Sequence, residues 1–189
     1  MADAHHTDVL RGEHVALRAR HPEDVPVLQA ELYEDVATRA RADTRPWRPI
    51  PADPALSPYA VADVSDAVAF FSVVAVADDE LAGEALVWGI DLHNRSGHLG
   101  LALRPAFRGR GLSAEVTRLL CRYAFAVRGL NRLQLETDAG NAAMIRAAER
   151  VGFRREGLLR QACWVLGSFT DQVVMGLLAA DWRDPSVAV

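Results

Sequence analysis

The chain has 189 residues, of which 50% are hydrophobic and 24% are charged, as is typical of one globular domain with its own core. Its longest apolar run covers only residues 68–77, whereas a membrane-spanning helix needs about 20 residues, and its start lacks the pattern of a secretory signal. We therefore expect a cytoplasmic protein without a membrane partner, and the net charge of −4, with no stacking aromatics beside the arginines, argues against nucleic acid.

Charge and cysteine placement narrow the class of ligand. Residues 104–160 hold 12 Arg and 5 acidic residues, a balance of +7, while the remaining residues hold 9 Arg and 20 acidic residues, a balance of −11. A basic segment suits a polyphosphate and an acidic one suits a cation, although segregated surface charge is also common. Cys121 and Cys163 lie in apolar segments, which predicts buried free thiols, and no histidine has ligand spacing with them, so we expect no metal.

The first third of the chain predicts one strand, one helix and a loop. Residues 15–18 have the pattern of a short strand, and His21-Pro-Glu-Asp24 is a typical helix start, because proline and acids favour the first turn. Apolar residues continue this helix at Val27, Leu28, Leu32 and Val36. The proline-rich segment 45–51 predicts a loop with little helix beyond it.

The middle third predicts strands followed by a long helix. Residues 67–77 and 82–91 are predicted to form a hairpin, and residues 98–103 a further strand that ends at Arg104-Pro105, on the evidence of β-rich runs bounded by turn residues. From residue 112 the apolar side chains recur at helical spacing, at Leu112, Val116, Leu119, Leu120, Tyr123 and Val127. Gly129 is expected to end this helix.

The last third predicts one strand, one helix and a final hairpin, at residues 133–137, 142–151, 158–166 and 172–178. The chain shows no internal repeat and no linker. We therefore predict a single α/β domain over residues 11–183, with loose tails at residues 1–10 and 184–189.

Residues 108–113, Arg-Gly-Arg-Gly-Leu-Ser, have the composition of a phosphate-binding loop. The first N–H groups of a helix have no internal partner, and the helix dipole makes that end positive. Gly109 and Gly111 allow the loop to curl so that successive N–H groups point inwards, and Arg108 and Arg110 add positive charge. We predict a pyrophosphate site here, because a solvated basic turn does not need glycines beside a helix start.

The glycines of this loop, with Ala114, also match the dinucleotide-binding fingerprint, and Glu136 lies near the position of the ribose-binding acid. In that motif the strand runs almost directly into the first glycine, whereas residues 104–108 intervene here. Only residues 137–189 follow Glu136, too few to complete a doubly wound sheet. We therefore interpret the match as accidental.

A second pattern accounts for more of the chain. The segment Leu99-Gly-Leu-Ala-Leu-Arg-Pro-Ala-Phe-Arg-Gly-Arg-Gly111 resembles motif A of the GNAT N-acetyltransferases, whose signature is Q/R-x-x-G-x-G/A. Residues 141–153 resemble the asparagine-to-Gly-Phe segment of the same family. Residues 153–178, together with Leu17-Arg18 and Glu23-Asp24, resemble its RimJ/RimL branch, which includes ribosomal-protein N-terminal acetyltransferases.

The resemblance implies a GNAT fold, an α+β arrangement with a mixed, mostly antiparallel sheet whose parallel strands 4 and 5 splay apart to admit acetyl-coenzyme A (acetyl-CoA). The backbone of Leu101, Ala102 and Leu103 would pair with the pantetheine arm, and a free N–H near Leu101 would polarise the acetyl carbonyl. Asn141 would contact the pantetheine amides, and its residue type also favours a helix N-cap. The residues implied for the pyrophosphate are Arg108, Gly109, Arg110, Gly111, Leu112 and Ser113.

Glu136 is our candidate for the catalytic base. An amine must be neutral to accept an acetyl group, and its ordinary pKa is about 7.7–8.0 for an α-amine and about 10.4 for lysine. Gln134, Glu136 and Asp138 share one face of their strand, and a polar face on a central strand indicates a cleft. The resemblance agrees, because N-terminal acetyltransferases of this superfamily carry a glutamate five residues before the cofactor asparagine. Weaker candidates are Glu84, Asp91 and His98.

Three positions depart from the family pattern. Ser113 replaces Gly or Ala, Met144 replaces a serine, and Ala148 replaces a tyrosine acid of some relatives, so no general acid is assigned.

The implied function is direct acetyl transfer from acetyl-CoA to a primary amine, on a protein N-terminus or a small molecule, in a ternary complex. The alternative is a non-catalytic acyl-CoA sensor, and a homodimer is compatible with the family. Weaker candidates for the acceptor pocket are Asp171, Trp47 and Trp164.

Overall fold

A computed structural model describes residues 10–43, 45–51 and 53–184. Its strands are β1 (Val15–Arg18), β2 (Val68–Ala75), β3 (Leu81–Asp91), β4 (Ser96–Leu103), β5 (Arg132–Asp138), β6 (Arg154–Val165) and β7 (Ser168–Leu178). Its α-helices are α1 (Asp24–Leu28), α2 (Val36–Ala42), α3 (Leu112–Arg122) and α4 (Ala142–Val151). One wider π-helical turn extends α1 and another extends α3, at Gln29–Tyr33 and Tyr123–Val127, and short 3₁₀ turns occur at Pro54–Leu56 and Pro105–Phe107.

The described strands form one sheet in the order β1-β2-β3-β4-β5-β7-β6. All neighbours pair antiparallel except β4 and β5, which are parallel. The parallel pairing includes only three residue pairs, the last of which joins His98 to Gln134. Beyond that pair β4 continues along β3 and β5 continues along β7, so the two strands diverge. The predicted mixed sheet with splayed strands 4 and 5 is confirmed.

The predicted first helix is broken into two. The residues between α1 and α2 leave the helical path at Asp35, whose carboxylate Oδ1 accepts a hydrogen bond from the Thr38 N–H at 3.1 Å. This contact is an N-cap, which starts a new helix. The prediction of one continuous helix was wrong, because the apolar spacing at Leu32 and Val36 persists across a capped break.

The final hairpin is longer than predicted. Strands β6 and β7 begin at Arg154 and Ser168, several residues before the predicted starts, and the chain turns at Leu166 and Gly167. The first residues of β6 are all exposed, because β6 is the edge strand of the sheet. A strand exposed on both faces carries no alternation of apolar and polar residues, so periodicity cannot show where it starts.

Two hydrophobic cores cover opposite faces of the sheet. The larger core packs α3 and α4 against one face and includes Leu99 and Leu103 of β4. The smaller core lies on the other face, where Ala102 packs against it. The members of the smaller core are Leu28, Leu32, Tyr33, Tyr59 and Leu81. Successive residues of β4 thus face different cores, as the two-residue period of a strand requires.

The structure also bears on the predictions for the cysteines, for membrane spans, for metal ligands and for the chain ends. Cys121 and Cys163 are buried and free, as predicted. Within the described ranges, every helix is too short or too polar to span a bilayer. The same residues include no cluster of three or more His, Cys, Asp or Glu side chains suited to a metal ion. The predicted tails lie largely at residues 1–9 and 185–189, outside the described residues.

Candidate active site between the splayed strands

The divergence of β4 and β5 leaves two open strand edges that face each other. Residues 99–103 of β4 pair only with β3, and residues 135–138 of β5 pair only with β7, within the described chain. Unpaired strand edges present N–H and C=O groups to whatever lies beside them. The predicted pantetheine-pairing residues Leu101, Ala102 and Leu103 lie on this open edge, Leu101 and Ala102 partly exposed and Leu103 buried.

The phosphate loop follows β4 and ends at the start of α3. Gly109 and Gly111 have φ angles of 74° and 78°, a left-handed conformation that glycine adopts without steric cost. A Cβ on either would meet nothing within 4 Å, so backbone conformation and not crowding calls for glycine. Among the described residues no hydrogen bond is seen from the N–H groups of Gly109 and Gly111, and those of Leu112 and Ser113 lie in the first turn of the helix. The loop therefore offers consecutive N–H donors to an anion.

The arginines of the loop differ from most others in the basic segment. Arg104 and Arg132 form ion pairs with Glu31 and Glu156, at 2.7 Å and 2.5 Å respectively. Arg108 instead donates from Nε to the Leu103 carbonyl at 2.8 Å and from Nη1 to the Thr38 hydroxyl at 3.2 Å.

Arg110 lies over the Phe107 ring, 5.1 Å from its centroid. Neither Arg108 nor Arg110 forms an ion pair with a carboxylate among the described residues. Carboxylates thus neutralise much of the positive charge of the basic segment, residues 104–160, whereas the charges of Arg108 and Arg110 are not neutralised by a carboxylate among the described residues.

Asn141 is the N-cap of α4. Its side-chain Oδ1 accepts a hydrogen bond from the Met144 N–H at 3.1 Å, and its Nδ2 donates to the Thr137 hydroxyl at 3.1 Å. The second contact links α4 to the end of β5. Asn141 therefore has a structural role at the mouth of the gap, and its exposed position leaves it open to a further contact.

Glu136 lies just inside the gap, two residues beyond the last pair of β4 and β5. Its side chain is 29% exposed, and Oε1 accepts a hydrogen bond from Gln134 Nε2 at 2.6 Å. The Nδ1 atom of His98 lies 3.8 Å from the same oxygen. Since His98 and Ala102 share a face of β4, the carboxylate is on the side of the sheet that carries the smaller core.

His98 is a neighbour of Glu136 that sequence reasoning ranked low. Its ring stacks on Trp88, with centroids 4.4 Å apart and planes inclined by 27°. Its Nδ1 is buried and has no hydrogen-bond partner in the described part of the chain. These contacts join β3, β4 and β5, so no pattern within one strand could have revealed them.

The other weaker candidates for a base have structural roles. Glu84 is mostly covered, with 13% of its side chain exposed, and pairs with Arg20 at 2.8 Å; desolvation raises the pKa of its carboxyl, against the lowering effect of Arg20. Asp91 accepts from the Asn94 N–H at 2.9 Å in an exposed turn, and this hydrogen bond holds the pKa of Asp91 below its ordinary value. Neither carboxylate contacts Glu136.

The weaker acceptor-pocket candidates are dispersed. Asp171 accepts from the Gln161 N–H at 2.8 Å, where Gln161 takes a left-handed φ of 52°, so it stabilises the β6 backbone. Trp47 donates to the Tyr33 carbonyl at 3.1 Å, and Trp164 packs on its hairpin partner Phe169. Their contacts do not bring these three residues together.

The absence of a candidate acid also has a structural reason. Ala148 is completely buried in the larger core, against which the half-buried Met144 packs. Tyr123 packs edge-on against Phe71, with ring centroids 5.0 Å apart, and its hydroxyl lies 3.3 Å from Arg128 Nη1. We therefore assign none of Met144, Ala148 and Tyr123 as a proton donor beside Glu136.

Comparison with known proteins identifies the family. A family model described as an acetyltransferase (GNAT) domain matches residues 14–154. Over 106 residues the chain is 32% identical to the putative ribosomal N-acetyltransferase YdaF of Bacillus subtilis (strain 168), covering 56% of this chain and 58% of that protein. It is 28% identical over 98 residues to the spermidine N(1)-acetyltransferase of Escherichia coli (strain K12), covering 52% and 53% respectively. The matched segments thus span little more than half the length of these relatives.

A solved structure shares the fold. The spermidine N-acetyltransferase from Vibrio cholerae, determined in complex with CoA and spermine, superposes with a TM-score of 0.78 at 21% identity, covering 88% of this chain and 96% of that one. The family match includes the splayed strands, the phosphate loop and Asn141. The chain belongs to the GNAT acetyltransferase family.

Proposed function

We propose that this protein is an N-acetyltransferase that moves the acetyl group of acetyl-CoA directly to a primary amine in a ternary complex. The observation that carries the proposal is the gap between β4 and β5, which opens beside a loop of unpartnered N–H groups. The open strand edges of the gap suit an extended arm that pairs like a strand, and the N–H groups of the loop suit a pyrophosphate. The family to which the chain belongs supports the same donor.

The residues fit acetyl-CoA in a consistent order along the site. The open edge at Leu101, Ala102 and Leu103 would pair with the pantetheine arm, and an N–H near Leu101 would polarise the acetyl carbonyl. Asn141 would contact the arm at the mouth of the gap. The residues proposed for the pyrophosphate are Arg108, Gly109, Arg110, Gly111, Leu112 and Ser113. In this assignment Arg108 also fixes the loop, through the Leu103 carbonyl and Thr38.

Glu136 is the proposed base. Acetyl-CoA supplies the activated acetyl group, so the protein must orient the amine and remove a proton from it. As the new C–N bond forms and the thioester C–S bond breaks, coenzyme A leaves as its thiolate, and Glu136 takes the surplus proton of the amine, directly or through water. Oε1 is engaged by Gln134, and Oε2 accepts no hydrogen bond within the described residues, so it is the oxygen offered to the amine.

The acceptor is proposed as a cationic primary amine, either a small molecule such as a polyamine or a protein N-terminus of the RimJ/RimL type. Relatives named for spermidine and for ribosomal substrates support both. The excess of acidic residues outside the basic segment favours cations in general. We also propose a cytoplasmic location and a homodimeric state. Size-exclusion chromatography with light scattering measures the oligomeric state.

A non-catalytic acyl-CoA sensor is the second candidate, favoured by the lack of an acid at Met144 and Ala148. A thermal melt followed by a thiol-release assay tests both candidates. At 100 times its dissociation constant acetyl-CoA should stabilise the fold by about 2.7 kcal/mol, which is a rise in Tm of roughly 5–10 °C, whereas NAD should cause none. An acetyltransferase then releases thiol with polyamines or N-terminal peptides, and Glu136→Gln greatly lowers kcat.

Stabilisation without thiol release from any amine would instead identify a sensor. Stabilisation by NAD alone would support the dinucleotide-binding alternative. If the Glu136→Gln variant kept wild-type kcat at pH 7, Glu136 would not be the base. Because Cys121 and Cys163 are both buried, the protein itself should contribute little background to the thiol assay.

A further inference from the structure

The carboxylate of Glu136 has few neighbours to hold it. Strand β4 has diverged by this point, so no residue of β4 is paired across from Glu136. On the other side its paired residue on β7 is Val174, which has no polar group. Within the described residues, the hydrogen bond to Oε1 comes from Gln134 Nε2, at 2.6 Å, whereas His98 Nδ1 lies 3.8 Å from the same oxygen, beyond hydrogen-bond distance.

The amide of Gln134 is itself oriented by Arg132. Arg132 Nη2 lies 3.2 Å from Gln134 Oε1. A guanidinium can only donate hydrogen bonds, so the amide oxygen must face Arg132 and the amide NH₂ must face Glu136. The network thus decides which end of the amide meets the carboxylate.

Arg132 is anchored by Glu156, although β7 lies between their strands. Arg132 Nη1 donates to Glu156 Oε1 at 2.8 Å, and Nη2 donates to Oε2 at 2.5 Å. A two-pronged contact of this kind fixes direction as well as distance. The pairing also holds the pKa of Glu156 below its ordinary value.

Two backbone features let Glu156 reach across β7. The pairing of β6 with β7 shifts register between Arg155 and Gly157, a bulge that redirects the intervening side chain. Beneath that side chain lies Gly176 of β7, where a Cβ would come within 2.2 Å of Glu156 Oε1. Gly176 is paired with Gln134 on β5, so the glycine opens the path at the position of the relay.

We propose that Glu156, Arg132 and Gln134 form a positioning relay that extends from the edge strand across β7 and holds the Glu136 carboxylate toward the acceptor amine. The relay rests on the proposed role of Glu136 as the base. The contacts of its members run to one another and to Glu136, and we assign them none with acetyl-CoA or the acceptor, so they are positioning residues. The relay gives the exposed edge strand β6 a role in the chemistry of the gap.

The test compares kcat with acetyl-CoA affinity in relay variants. Gln134→Leu and Gly176→Ala should each lower kcat on the order of 10- to 100-fold, because small displacements of a reacting group are costly. The dissociation constant of acetyl-CoA, measured by calorimetry, should change less than about twofold, since none of the hydrogen bonds of the relay involves the phosphate loop. Glu156→Gln, which can still accept from Arg132, should lose less activity than Glu156→Ala.

A matched control and a double variant separate positioning from general damage. Arg155→Gln breaks the neighbouring ion pair with Glu149, at 3.1 Å, which lies outside the relay, and it should leave kcat unchanged. In a Glu136→Gln background, Gln134→Leu should lower kcat no further, because its effect acts through Glu136. Thermal melts of every variant identify any that fails to fold.

The outcomes distinguish the relay from the base assignment. If Glu136→Gln lowers kcat but Gln134→Leu and Glu156→Ala do not, the relay is refuted and Glu136 remains the base. A further loss of kcat on adding Gln134→Leu to Glu136→Gln also refutes the relay, because the effect is then independent of the carboxylate. If Glu136→Gln leaves kcat unchanged, the base assignment fails and the relay fails with it.

Discussion

Arg18 and Asp24 show how two residues join a strand to a helix. Arg18 Nη1 and Nη2 lie 2.7 Å and 2.9 Å from the two carboxylate oxygens of Asp24. Oδ2 of Asp24 also accepts from the Ser72 hydroxyl at 2.6 Å and from the His21 N–H at 2.9 Å. The sequence places Arg18 in a strand and Asp24 at a helix start, and the structure shows that their contact attaches α1 to the sheet.

The first prediction concerns the pH dependence of this cluster. Burial raises the pKa of Asp24, but the hydrogen bonds from Arg18, Ser72 and His21 outweigh it and lower the pKa from 3.8 to about 2. Because the folded-state pKa is below the unfolded one, the contribution to stability is full above pH 3.8 and is lost as the pH falls toward 2. Asp24→Asn should therefore cost about 2 kcal/mol of unfolding free energy at pH 7 and much less near pH 2.5.

Urea denaturation at both pH values measures this difference. Glu23→Gln is the control, since Glu23 is the exposed neighbour of Asp24 and should change stability by less than about 0.5 kcal/mol. A cost of Asp24→Asn that stays constant from pH 7 to pH 2.5 would contradict the assignment of the shifted pKa to this cluster.

At the scale of the element, Asn141 combines a cap with a proposed ligand contact. Replacing it by Ala removes the hydrogen bond to the Met144 N–H and should cost about 1 kcal/mol. Asn141→Asp keeps the capping oxygen but removes the Nδ2 donor. We expect the Asp variant to keep a Tm close to the wild-type value while its KM for acetyl-CoA rises several-fold.

Parallel thermal melts and steady-state kinetics of the two variants provide the measurement. The Ala variant should show both defects, and the Asp variant only the kinetic one. Should the Asp variant bind acetyl-CoA as well as the wild type does, Asn141 would be a helix cap alone.

On the scale of the whole molecule, the two cores lie under different parts of the site. The larger core packs around α3, whose N-terminus carries the phosphate loop. The smaller core lies on the face that carries Ala102, and this is also the face of Glu136. The fold thus places the proposed donor loop and the acceptor side over separate sets of buried side chains.

This separation predicts that two matched variants, one in each core, affect different substrates. Leu32 in the smaller core is 2% exposed and Leu119 in the larger is 1% exposed, and truncation of either to Ala should cost about 2–5 kcal/mol. Leu32→Ala should mainly raise KM for the amine, and Leu119→Ala should mainly weaken acetyl-CoA binding. Kinetics well below the Tm of both variants tests the split, and equal effects on the two substrates would contradict it.

Residue type and spacing were enough to predict the features that lie within one element or one turn. The helical spacing predicted α3, the two glycines predicted the loop before it, and the alternation along β5 placed Gln134, Glu136 and Asp138 on one face. The residue type of Asn141 suggested the cap that the structure shows. These features depend on local geometry, which residue type and spacing express directly.

Which elements come into contact could be learned only from the folded chain. The break at Asp35, the extended edge strand β6, the contact of His98 with Glu136, and the path of Glu156 over Gly176 all escaped the sequence patterns. Each depends on sheet order and register, and shifting the register of one strand by a single residue would turn its side chains to the opposite face. The candidate base was visible in one strand, but what holds it comes from β6 and β7, which only the folded sheet brings alongside.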